Sequence, residues 1–323
     1  MLALIRYLGN SVPDCHLLSF LTDALTCLAR APDFQPSITD AALRALAEVV
    51  QNAKCPNQVS LSLARAAMPA LSSLMQSTAC LASGLLAVFA AFCLSMVPNV
   101  QVAVAEAALP AVVALMRDYE RPAGQSMAAV LLCNAAQNDN ARIYIAQAAL
   151  PSLVAILLRV ESVLPILPSF LVQVKKAALA VLCNMTITDD SLRGPVALAA
   201  LPAVVSIMWQ KEQPGSDCRR YAVCVLDHLS ACTQPWVQQS VADAALPGLV
   251  EVMQNTPHPI ERWMAVQAVS GLAASRDAQL RKQVHALAHA ALVLQARQKA
   301  DSESRIAAKL ALDRLQPRCC VMM

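Results

Sequence analysis

Apolar residues run along this chain in long blocks at helical spacing, separated by short polar stretches such as Gln137-Asn138-Asp139-Asn140, Thr188-Asp189-Asp190 and Ser275-Arg276-Asp277. The blocks recur. Ala-Ala-Leu-Pro or a close copy heads a helical pattern with its proline at Pro69, Pro110, Pro151, Pro202 and Pro247, giving 110 − 69 = 41, 151 − 110 = 41, 202 − 151 = 51 and 247 − 202 = 45 residues. A degenerate sixth copy, Ala286-Leu287-Ala288, follows at 288 − 247 = 41. Each proline is expected at or near the start of its helix, where its missing N–H costs little and its fixed φ helps. A period of roughly 40–47 residues marks stacked helical repeats, none of which buries its apolar face alone.

A second helix follows each proline-bearing one. These helices align as Gln125-Ser126-Met127-Ala128-Ala129-Val130-Leu131-Leu132-Cys133-Asn134, then Lys175 through Asn184, then Arg219 through His228, with later members beginning at Glu261 and Glu303 and earlier ones near Ile38 and Cys80. Over roughly residues 35–315 the pattern resembles the armadillo family, whose repeat carries a Gly-Ala-Leu-Pro-type second helix and a third helix ending near Leu-Ser-Asn-Leu; HEAT repeats are the nearby alternative. The resemblance implies an all-α, right-handed α-solenoid, an armadillo-like superhelix of about six to seven repeats whose concave side binds protein. The expected layout is N-terminal capping helices over 1–34, the repeat solenoid over 35–315 and a flexible tail over 316–323.

The composition fits that reading. With 57% hydrophobic residues, only 7 glycines and 4% aromatics, the helices pack through small side chains, chiefly alanine, and few rings are present for stacking nucleic-acid bases. A net charge of +3 without any Lys/Arg-rich block disfavours nucleic acid as a partner. The 12 cysteines lie scattered inside helical patterns, as at Cys133, Cys183 and Cys224, with no CxxC pair, so they read as small buried hydrophobes in a reducing compartment. The N-terminal residues lack the pattern of a secretory leader, and Leu2 stands where myristoylation needs glycine.

Two segments strain a soluble reading. No charged residue occurs between Ala66 and Ala105, and Ala79 to Val97 is nearly long enough to cross a bilayer, yet the run falls in phase with the repeat and is expected to be a buried helix. The long interval before Pro202 places an inserted apolar loop near residues 160–168, expected to pack on the neighbouring repeat or to meet a partner.

The last four residues, Cys320-Val321-Met322-Met323, match a CaaX box with methionine at the farnesyl-directing position. One lipid chain anchors reversibly, and the adjacent Cys319 is a candidate palmitoyl site that would supply the second signal. Together they imply a cytoplasmic protein attached peripherally to the cytoplasmic face of a membrane.

Armadillo proteins that bind extended peptides hold the ligand backbone with third-helix asparagines and grip lysine stems with tryptophans one turn earlier. The asparagine position here reads Asn134, Asn184, His228 and Gly271, and four residues earlier stand Val130, Ala180, Cys224 and Gln267, so the tryptophan ladder of import receptors is absent. Eight residues before the asparagine line come Ser126, Lys176, Arg220 and, after a one-residue slip, Arg262; with Lys175 and Arg219 these form a candidate basic strip for an acidic extended ligand, as in catenin-type members. Solvated helix starts would look similar. His285 and His289 share a helix face but lack a third metal ligand, and Trp209, Trp236 and Trp263 read as packing anchors.

No nucleophile elbow, phosphate loop or dinucleotide glycine pattern occurs, so no catalysis, cofactor or small-molecule substrate is expected. The sequence thus reads as a lipid-anchored adaptor with its partner along the concave face. The alternatives are a chaperone or exchange factor for prenylated small GTPases and an integral membrane protein spanning at Ala79 to Val97.

Overall fold

The computed structural model describes residues 43, 57–76, 81–118, 122–159, 168–210, 217–297 and 302–316. The expected capping helices over 1–34, the apolar loop up to residue 167 and both tail cysteines, Cys319 and Cys320, lie outside them. Among the described residues there are twelve α-helices and no strand. They run α1 Asn57–Gln76, α2 Leu81–Ser95, α3 Gln101–Arg117, α4 Pro122–Ala135, α5 Asp139–Leu158, α6 Pro168–Thr186, α7 Asp190–Trp209, α8 Cys218–Ser230, α9 Pro235–Asn255, α10 Pro259–Ala273, α11 Ala278–Arg297 and α12 Ser302–Leu315.

The chain divides into two compact units, Met1–Asn184 and Met185–Met323. In the first, the proline-bearing helices α1, α3 and α5 stack in order, and α2 packs on α4. In the second, α7, α9 and α11 form one layer and α8, α10 and α12 the other, each helix of the second layer also packing on the first-layer helix before it. The core lies between the layers and is built of alanine, leucine, valine and methionine.

The prolines do not start their helices. Pro69, Pro151, Pro202 and Pro247 each stand about three turns in, because polar caps upstream begin the helix earlier. The Asn138 side chain accepts from the Asn140 and Ala141 N–H groups, and the Asp189 carboxylate from the Ser191 N–H at 2.8 Å. Asp277 does the same for Gln279 and Leu280, while Pro235 and Pro259 open α9 and α10. An interior proline removes one rung of the ladder and strands the carbonyl four residues back. Here that carbonyl belongs to Arg65, Glu106, Gln147, Leu198 and Asp243, all exposed, and the five prolines are exposed as well. Their exposure leaves the freed carbonyls open to solvent, and the small-large pair before each proline, such as Ala149-Leu150 or Ala245-Leu246, faces the core.

The sixth repeat sits two residues later than the Ala288 register. Buried Leu280, Val284, Ala288, Ala291 and Leu292 of α11 match Val237, Val241, Ala245, Gly248 and Leu249 of α9 at a constant offset of 280 − 237 = 43, so Ala290 holds the place of Pro247. Ala288 is a core residue instead.

The apolar stretch at Ala79–Val97 is α2, only fifteen residues long, with Ala87, Val88, Ala90, Ala91, Cys93 and Leu94 buried inside its unit. Three helical segments, Pro98–Arg117, Asp139–Leu158 and Asp190–Trp209, are long and apolar enough to cross a membrane by length and composition, and more than half of each is buried within the fold.

Candidate functional site

The second helix of each pair carries the expected site residues, and the structure separates them into two lines. Gln125, Lys175 and Arg219 occupy equivalent positions in the repeat; the first two are buried and Arg219 is half-buried. Gln125 is buried and donates from Nε2 to the Met116 carbonyl at 2.9 Å. Lys175 is 5% exposed, which removes it from a solvent-facing strip. Arg219 donates from Nε to Glu261 Oε2 at 3.0 Å, and the same oxygen accepts from the Thr256 hydroxyl. Glu261 is buried, so this cation serves the fold. Successive residues on a helix are turned by about 100° from one another, and the sequence strip merged two adjacent positions that belong to different faces.

The next position around the helix is half-exposed: Ser126, Lys176 and Arg220. Arg220 pairs with Asp217 at 3.4 Å and lies over the Tyr221 ring, 5.3 Å from its centroid. Arg262 turns back to its own loop, donating from Nη2 to the Thr256 carbonyl at 2.7 Å.

Of the asparagine line, Asn134 and Asn184 in the first unit are half-exposed. Asn184 Nδ2 donates to the Cys133 carbonyl at 2.9 Å, so its amide also ties one second-layer helix to the next. Burial pushes the Cys133 thiol up, and the Asn184 contact acts against it. In the second unit His228 is half-exposed, with Nδ1 3.1 Å from the Thr186 hydroxyl and Nε2 3.8 Å from Cys224 Sγ. Beside it, burial lifts the Asp227 carboxyl to about 7 against the pull of His228 and Arg193. At Gly271 the line has no side chain, because the α8 backbone passes there: a Cβ would lie 3.0 Å from the Ser230 carbonyl oxygen.

A polar device that the sequence reading missed recurs nine residues before the proline, at 151 − 142, 202 − 193 and 247 − 238. Arg142 donates to the carbonyls of Ala136 and Gln137, Arg193 to those of Thr186 and Ile187, and Gln238 to that of Ser230. Arg281, at 290 − 281 = 9, bonds Ser275 and Arg276 in the same way. Each holds carbonyls at or just past the end of the preceding helix, where intrahelical donors have run out. The signal was available as a recurring long donor at fixed distance from the proline.

The tryptophans behave partly as expected. Trp209 and Trp236 remain about half-exposed, each with one ring edge against a helical glycine, Gly248 and Gly194 respectively.

No protein-family model matches this sequence, and no curated protein matches it. Solved structures do. An engineered protein superposes with a TM-score of 0.76 at 20% identity, over 93% of this chain and 68% of that one. A designed armadillo repeat protein in complex with the peptide (KR)4 gives 0.67 at 18% identity, over 77% of this chain and 99% of that one. The fold is an armadillo-like α-solenoid. A set of computationally designed armadillo repeat proteins for modular peptide recognition matches it as well, with a TM-score of 0.58 at 17% identity over 92% of this chain. In this solenoid the half-exposed polar line on the second-layer helices is the candidate site, carried by Asn134, Lys176 and Asn184 in one unit and by Arg220 and His228 in the other.

Proposed function

We propose that the chain is a non-catalytic scaffold that binds an extended, acidic segment of another protein along its second-layer helices. The observation that carries this reading is the set of half-exposed polar positions, Asn134, Lys176 and Asn184 in one unit and Arg220 and His228 in the other, on helices that otherwise present buried apolar residues to their neighbours. Side-chain amides such as those of Asn134 and Asn184 hold a peptide backbone without regard to its sequence, whereas Lys176 and Arg220 select for carboxylates. A designed armadillo repeat protein of similar fold is in complex with the basic peptide (KR)4, and the cations Lys176 and Arg220 give this chain the opposite preference. The armadillo-like fold supports the peptide-binding mode, and the sign of the charge is this chain's own.

The second half of the proposal is location. In a chain ending at Met323, farnesyl on Cys320 and palmitoyl on Cys319 would hold the scaffold on the cytoplasmic face of a membrane.

Fluorescence polarisation with extended Glu/Asp-rich peptides, and with (KR)4 as the control, tests the binding reading. Acidic peptides should bind more tightly than the basic one, and Lys176→Glu with Arg220→Glu should reverse the order. Equal binding of both peptides, or none, rejects it. Fractionation of cells expressing the wild type and Cys320→Ser tests the anchor separately: only the wild type should sediment with membranes and carry a prenyl mass.

A further inference from the structure

We propose that Cys224 and His228 form a chelate for a single thiophilic transition-metal ion of the zinc or copper(I) class. The two residues stand one turn apart on α8, so both side chains leave the same face of a rigid element. Sγ and Nε2 are 3.8 Å apart. With metal–sulfur and metal–nitrogen bonds of about 2.3 and 2.0–2.1 Å, that separation lets both atoms reach one ion at an angle of about 120°, close to tetrahedral.

The second nitrogen of the ring is also provided for. Nδ1 lies 3.1 Å from the hydroxyl of Thr186, which is fully buried at the end of α6. A hydrogen bond from Nδ1 fixes the ring and leaves the Nε2 lone pair directed at the cysteine, the outer-shell arrangement that metal-binding histidines use. Both ligand residues are half-buried, so an ion has a path from solvent and water can fill the rest of its shell. Binding forms one S–metal and one N–metal bond and releases the thiol proton to solvent. The soft sulfur selects zinc or copper(I) over magnesium or calcium. His285 and His289 of α11, with ring centroids 4.6 Å apart, offer nitrogen alone and no buried partner, so they make a useful contrast.

The site needs no protein partner, and its failure would leave the peptide-binding reading untouched. The test is cobalt(II) titration of the reduced, metal-free full chain. Wild type should show a thiolate-to-cobalt charge-transfer band that saturates at one equivalent, is displaced by zinc, and disappears in Cys224→Ser. His228→Gln should weaken cobalt binding by more than about 10-fold and Thr186→Val by about 10-fold, whereas Cys218→Ser should leave the titration unchanged. No band in the wild type, or a band that survives in Cys224→Ser, overturns the proposal. X-ray absorption of the zinc-loaded wild type decides it without any variant: one sulfur at about 2.3 Å supports the chelate, and a shell of nitrogen and oxygen alone rejects it.

Discussion

Arg219 and Glu261 make an ion pair whose members differ in their access to water: Nη2 lies 2.9 Å from Oε2, and the glutamate side chain is 3% exposed against 21% for the arginine. Losing either partner should therefore have unequal effects. Arg219→Met strands a buried carboxylate with only Thr256 to support it and should cost roughly 3 kcal/mol, the range for a broken buried pair. Glu261→Gln leaves an arginine that solvent reaches and a neutral side chain that still hydrogen-bonds, and should cost about 1 kcal/mol. Chemical denaturation of the two variants gives the order, and equal losses would mean that burial of the pair is not what sets its energetics.

Truncating the arginines that close the preceding helices should destabilise by about 1.5–3 kcal/mol each, since every one donates charge-assisted bonds to carbonyls at or just past a helix end. Arg142→Ala should show the largest effect because the residue is 5% exposed. Arg142→Lys should rescue little, as an ammonium cannot span two carbonyls with a fixed fork. Urea midpoints of the alanine and lysine variants check both statements.

Glycine replacement should divide by what the new methyl meets. At Gly271 it meets the Ser230 main chain, which cannot turn aside, so Gly271→Ala should force α8 and α10 apart at a cost of about 1–3 kcal/mol. At Gly248 the obstacles are the Met208 terminal methyl and the Trp209 ring edge, and the flexible methionine can move. The gain in helix propensity, about 1 kcal/mol, should then offset most of the strain in Gly248→Ala. Thermal melts of the two alanine variants distinguish them.

Asp190 should shape the acid side of the stability profile. Burial alone would raise its pKa, but the Thr233 hydroxyl and N–H, the Cys232 thiol and Arg193 outweigh that and hold the carboxyl below its ordinary value. A carboxyl whose folded pKa is depressed stabilises the protein above the unfolded pKa, and that contribution is lost as the pH falls through the folded one. Stability should consequently decline on acidification below the normal carboxylate range, and Asp190→Asn should flatten that decline while lowering the plateau near neutrality. A variant with an unchanged acid limb would remove Asp190 from the account.

The fold was legible because its signal is repetitive: five Leu-Pro or Met-Pro copies fix the period, and stacked helices follow from apolar faces that cannot be buried singly. Helix starts were not legible from the same motif, since proline at N1 is common and nothing local reveals that Asn138 or Asp189 had already begun the helix three turns earlier. The candidate site was half legible. Lys176 and Arg220 sit on the accessible line, but next to them Lys175 is buried and Arg219 is tied to Glu261, which lies 261 − 219 = 42 residues away. Pairing at that distance is a tertiary fact. The Cys224, His228 and Thr186 cluster was hidden for the same reason, because 228 − 186 = 42 residues separate the ring from its hydroxyl.

Among the described helices, Arg142, Arg193, Gln238 and Arg281 each come from the helix after the one they close, so those repeat units are not chemically complete within their own boundaries. A chain ending at Gln137 would keep all of α4 and the two carbonyls after it yet discard Arg142, leaving the carbonyls of Ala136 and Gln137 to water. Shortened versions for biophysical work should end after the first two turns of the following first-layer helix, beyond Arg142, Arg193 or Arg281, rather than in the polar loops where domain boundaries are usually drawn.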